Sequence, residues 1–134
     1  FCPQVSLREG TSSFRTYQQG GDGDASRVIY QAAIADVTRS CSYNASQVTM
    51  NVAVAGRIVP GPQGRTGAIT MPIRIAVVRG EDVVYTQLHQ YPVQVNDLAG
   101  ATQFVFNDPN VTFELPPDRG VRVFAGFDEG PSGN

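Results

Sequence analysis

The sequence predicts an all-β fold, and three observations predict it. Val48, Met50, Val52 and Val54 alternate with small or polar residues in VTMNVAVAG, and Ile69, Met71, Ile73, Ile75 and Val77 alternate in ITMPIRIAV. Period two sustained over such lengths belongs to half-buried strands, whose side chains point alternately to opposite faces. Turn signals rich in Gly, Pro, Asn and Asp separate further β-branched and aromatic runs at a regular rhythm, and no stretch carries a helical apolar stripe. Together these give an immunoglobulin-like β-sandwich of seven or eight antiparallel strands, built as one domain over residues 1–134.

Taken in order, a short strand covers Val5 to Leu7. Residues 8–27, REGTSSFRTYQQGGDGDASR, are rich in Gly, Ser, Gln and Asp and read as a long loop pinned by Phe14 and Tyr17. RVIYQAAIADVTRSC lacks clean alternation, which predicts a central strand with a bulge. Pro72 interrupts the ITMPIRIAV run and has no N–H to donate, so it belongs at an edge or a bulge. RGED at 79–82 is a hairpin turn between IAVV and VVYTQL. YPVQV, TQFVFN, NVTFEL and VRVFAGF supply the remaining strands, with VNDLAG, NDPN and LPPDRG as turns between them, and 128–134 is a flexible tail. The alternating runs place Val52, Val54, Ile73, Ile75, Phe104, Phe106, Val123 and Ala125 in the core.

Composition narrows the function. A net charge of −2 supplies no basic field for nucleic acid or an anionic membrane. All ten basic side chains are arginine, which excludes Schiff-base lysine chemistry and a P-loop lysine. One histidine and two cysteines are too few for a structural zinc site, and GGDGDAS at 20–26 lacks the third acidic position and terminal Glu of a calcium loop. The expectation is therefore no metal and no cofactor. Asp128 and Glu129 are adjacent, so on a strand they face opposite ways and share no proton.

His89 is the only histidine, so any Ser-His-Asp or Cys-His chemistry must use it. It lies in YTQLHQYP, a strand segment, and no serine sits in a glycine elbow. GRIVPGPQGRTG is the most distinctive connection. Its prolines and glycines predict a stiff loop over 57–67 outside either sheet, with Arg57 and Arg65 as the candidate contacts for an anionic partner.

CPQVSLREGT, IYQAAIADVTRSC, AGRIVPGPQGRTGAITMPIRIAVVRGEDVVY, ATQFVFNDPN and VFAGFDEGP, taken in order over nearly the whole chain, resemble a group of small alphaproteobacterial envelope lipoproteins. The resemblance implies export, a periplasmic or outer-membrane-anchored location, and contact with the membrane only through a lipid anchor upstream of Phe1. It carries no catalytic or binding residues. Export puts Cys2 and Cys41 in an oxidising compartment, where they are expected to form a disulfide that staples the N-terminus to the sheet. The functional expectation is a non-enzymatic envelope module that binds a protein or a cell-wall polymer; the alternative is a small periplasmic hydrolase using His89.

Overall fold

The computed structural model describes residues 1–8, 10–115 and 120–128. Among the described residues eight strands form two four-stranded sheets that pack face to face. The first sheet has the order β1 (Val5–Leu7), β8 (Val121–Phe127), β5 (Gly67–Arg79), β6 (Asp82–Val95). The second has the order β2 (Ser13–Tyr17), β3 (Val28–Asn44), β4 (Gln47–Pro60), β7 (Thr102–Glu114). All neighbours are antiparallel except β1, which runs parallel to β8. The sandwich expected from the alternating runs is the fold observed.

The core lies between the sheets, and the period-two runs fill it. Val48, Met50, Val52, Val54 and Ile58 of β4 meet Met71, Ile73, Ile75 and Val77 of β5, and all nine are fully buried. Val52, Val54, Ile73, Ile75, Phe104, Phe106, Val123 and Ala125 are all buried, as the alternation requires. Pro72 is accommodated at a ladder end. Its carbonyl accepts from the Asp128 N–H, so its missing donor faces the same way, where the pairing of β5 with β8 has stopped at Ile73 and Phe127.

Two bulges explain where the sequence pattern blurs. In β3, Ile34 pairs with Gly56 and Asp36 with Ala55, leaving Ala35 as the extra residue. The insertion reverses the phase: even-numbered Tyr30 and Ala32 point inward before it, and odd-numbered Val37 and Cys41 after it. In β7, Val52 faces Asp108 and Met50 faces Val111, so Pro109 and Asn110 form a second bulge. Both Asp108 and Val111 therefore face the core.

Three sequence-based expectations are corrected. NDPN is not a turn between strands; the bulge absorbs its proline and carries β7 straight through. YPVQV is likewise the second half of one long strand, β6, paired with β5 along its length. Within 8–27, residues Ser13–Tyr17 form strand β2 against β3, because Phe14 packs on the core while its neighbours face outward. The acidic part of that segment ends in a 3₁₀ turn, Ala25–Arg27, capped by Asp24, whose carboxylate accepts from the Ser26 N–H and hydroxyl. Of the expected tail, only Asp128 lies within the described residues.

Cys2 and Cys41 form a disulfide across a sequence separation of 39. The N-terminal residues lie over the far end of β3, where Arg39 donates to the carbonyl oxygens of Pro3 and Cys2 and the Tyr43 hydroxyl donates to that of Phe1. The chain then passes to the first sheet as β1. The disulfide thus ties the second sheet to the segment that supplies the edge strand of the first.

Candidate functional site

Strand β6 is an edge of the first sheet and β7 an edge of the second, and their inward side chains meet between the sheets. The inward phase of β6 carries Tyr85, Gln87, His89 and Tyr91, since these pair with core residues Val77, Ile75, Ile73 and Met71. Opposite them stand Phe104, Phe106 and Asp108 of β7.

Asp108 is only 3% exposed, and a carboxylate so buried must be hydrogen-bonded. The Tyr85 hydroxyl donates to Oδ2 at 2.7 Å, and His89 Nε2 lies 3.0 Å from the same oxygen. The Asn110 N–H, turned inward by the bulge, donates to Oδ1 at 3.0 Å. Burial, then the hydrogen bond to Asp108 and its negative charge, push the Tyr85 hydroxyl well above the ordinary phenol range. The His89 ring rests against Phe106 with centroids 4.8 Å apart, and Tyr91 packs on the same ring while its hydroxyl donates to the Val105 carbonyl. Ser-His-Asp or Cys-His chemistry at His89 would need a serine hydroxyl or a thiol at the ring. Among the described residues its one hydrogen-bond partner is Asp108, and both cysteines are in the disulfide. The arrangement fastens one sheet margin to the other.

A second cluster lies on the outer face of the first sheet. Phe124 of β8 is flanked by two guanidinium groups, that of Arg8 4.2 Å and that of Arg122 5.7 Å from the ring centroid. Across Ala76 and Gly126, Arg74 donates to Asp128 at 2.5 Å and to the Thr86 hydroxyl at 2.7 Å. The segment holding Arg8 and Thr11 arches over β8, with the Thr11 carbonyl accepting from the Phe127 N–H. Gly126 permits this approach, since an added Cβ would lie 2.4 Å from Thr11 Oγ1. The result is an open groove of about 220 Å³ floored by Phe124 and Ala76 and walled by Arg8, Thr11, Arg74 and Asp128.

The two arginines singled out by sequence do not share a site. Arg57 belongs to β4, paired with Ala33 and Gln103, so the expected loop over 57–67 begins only after Pro60. The error has a physical cause: Ile58 continues the inward phase of β4 and pulls residues 57–60 into the sheet. Arg57 borders a shallow depression with Ala35, Ala55, Gln103 and Val105 on the outer face of the second sheet. Arg65 lies in the connection to β5, where its carbonyl accepts from the Tyr30 hydroxyl. His89 does lie on an edge strand, but its partner Asp108 was hidden by reading NDPN as a turn. The Arg-X-Phe of β8 sets Arg122 and Phe124 on one face, whereas nothing local marks Arg8 or Arg74 as their companions. Among the described residues no group of three or more His, Cys, Asp and Glu side chains is placed to hold a metal ion. No helix among them is long and apolar enough to cross a membrane.

No protein-family model, curated protein or solved structure matches this chain.

Proposed function

We propose that the chain is a non-catalytic binding module of a bacterial envelope lipoprotein, exported and held at the membrane by an anchor outside this segment, with an envelope protein as its partner. The observation that carries the reading is the engagement of His89. The only histidine of the chain is engaged by a buried carboxylate that also holds Tyr85, and it packs on Phe106, with no serine hydroxyl or thiol hydrogen-bonded to the ring among the described residues. The Cys2–Cys41 disulfide supports the exported location, since such bonds persist in oxidising compartments.

The hydrolase alternative is tested directly. The purified chain and its His89→Ala variant are assayed on ester, peptide and phosphodiester substrates, with melting temperatures measured alongside. The expected result is no turnover that depends on His89. Turnover that vanishes in a folded His89→Ala variant would overturn the reading. Fractionation of cells producing the tagged full-length protein tests location, and recovery in the cytosol would contradict it.

A further inference from the structure

We propose that two copies of this chain pair antiparallel through the free edge of β6, about a two-fold axis at Leu88. The proposal goes beyond the binding-module reading and does not depend on it.

Strand β6 ends its sheet, and among the described residues no strand lies beyond it. The direction of its unused backbone groups follows from Pro72. That residue turns its carbonyl away from β6, to the Asp128 N–H, so the Pro72–Gln90 pair exchanges no bonds. Gln90 therefore points its own N–H and C=O out of the sheet edge, and alternation gives Thr86 and Leu88 the same direction. In keeping with this, the Leu88 carbonyl accepts from the Gln87 side-chain amide, at 3.4 Å. Two features bound the open stretch. At one end a bulge leaves Val84 as the extra residue between Val83 and Tyr85. At the other Pro92, in phase with Gln90, turns a nitrogen without a proton to the edge. Val84 and Pro92 stand equally far from Leu88, on either side.

That symmetry selects a second copy of this chain over an unrelated strand. In an antiparallel pair centred on Leu88, each Leu88 faces the other and each Thr86 faces a Gln90. All of these pairs exchange both backbone bonds, and each Pro92 falls opposite a Val84 bulge, where no ladder bond is called for. A centre at Gln87 sets Gln90 against Val84, and one at His89 sets Thr86 against Pro92, with bonds lost in both. The axis at Leu88 also sets Tyr85 against Tyr91 and Gln87 against His89 in the close pairs, where aromatic partners stabilise a sheet.

Charge agrees. From Val83 to Val95 β6 carries no Asp, Glu or Arg, and the adjoining margin of β7 from Thr102 to Asn107 carries none. Self-pairing therefore sets no like charges face to face. Charged side chains commonly guard an edge strand against a second chain, and this stretch is left open between the bulge and the proline.

The test is sedimentation equilibrium of the oxidised, ¹⁵N-labelled chain, with amide spectra recorded at the same concentrations. One short strand pair sits at the weak end of protein interfaces, so monomer is expected at about 10 μM and dimer at about 1 mM. The Thr86, Leu88 and Gln90 amides are expected to shift with concentration and to exchange more slowly in the dimer. Leu88→Glu and Leu88→Arg each set like charges together on the axis. Each is expected to weaken dimerisation by about tenfold or more, and an equimolar mixture of the two to restore it. The amide measurement on the unaltered chain decides the matter should either variant fail to fold. A blocked peptide spanning Tyr85–Tyr91 is expected to shift the same amides of the monomer more than its scrambled sequence does. Monomer at about 1 mM, a dimer whose shifting amides lie elsewhere, or a mixture no tighter than either folded variant alone overturns the proposal. Equal shifts from the peptide and its scrambled form would make the occupant any extended strand and overturn the choice of a second copy. None of these arms measures turnover at His89, so the pairing can fail while the non-catalytic reading stands, and the reverse.

Discussion

The Tyr85 hydroxyl and the Asp108 carboxylate, 2.7 Å apart, join an edge strand of one sheet to an edge strand of the other. Removing the acceptor leaves the tyrosine hydroxyl, the histidine and the Asn110 N–H facing an apolar margin. Asp108→Ala should therefore cost about 2–4 kcal/mol in urea unfolding, and Tyr85→Phe about 1 kcal/mol. A loss below about 1 kcal/mol for Asp108→Ala would show that water satisfies these donors.

The disulfide closes a loop with a sequence separation of 39. On the chain-entropy model this restricts the unfolded state by about 4 kcal/mol, less any native strain. Replacing both Cys2 and Cys41 with Ser should lower the unfolding free energy by an amount of that order, and intact-mass measurement without reductant should find the bridged form. A mass two protons higher contradicts the pairing.

Gly56 lies opposite the β3 bulge, under the Phe104 ring. An added Cβ would meet the Ala33 carbonyl oxygen at 2.1 Å and the ring at 2.8 Å. The first contact is backbone and cannot swing away. Gly56→Ala should destabilise by about 1–3 kcal/mol or more, read as a lower denaturation midpoint with unchanged slope. A neutral effect would mean that β3 and β4 separate more easily than their register implies.

Tyr85 predicts an alkaline signature. Its folded hydroxyl holds its proton above the ordinary phenol value, because burial, then the bond to Asp108 and the carboxylate charge, oppose the phenolate. As pH rises past about 10, the unfolded chain loses this proton while the folded chain keeps it, so stability declines. Tyr85→Phe should flatten that part of the decline, and absorbance titration should lose one late-ionising phenol. Loss of a phenol that ionises near the ordinary value of about 10 would instead place Tyr85 in solvent.

The sandwich was legible because β4 and β5 are regular: each keeps one phase from end to end, and Val52, Val54, Ile73 and Ile75 announce the core. Legibility failed where a bulge changes the phase. Ala35 scrambles the alternation of β3, so its run suggested a bulge without locating it. Pro109 and Asn110 look like a turn because a turn and a bulge draw on the same residues. That ambiguity concealed Asp108 and so the reason for His89. The Arg8–Phe124–Arg122 cluster assembles residues from the two ends of the chain, a juxtaposition made by the parallel pairing of β1 with β8.

The central claim is that the chain's only histidine is a strut between the sheets. A double-mutant cycle of His89→Ala and Asp108→Ala, followed by urea unfolding, tests it most directly, because the cycle cancels the lost packing on Phe106. The account predicts that the two losses fail to add, with a coupling of about 1 kcal/mol favouring the intact pair. Strictly additive losses would contradict it and return His89 to the list of side chains free for chemistry.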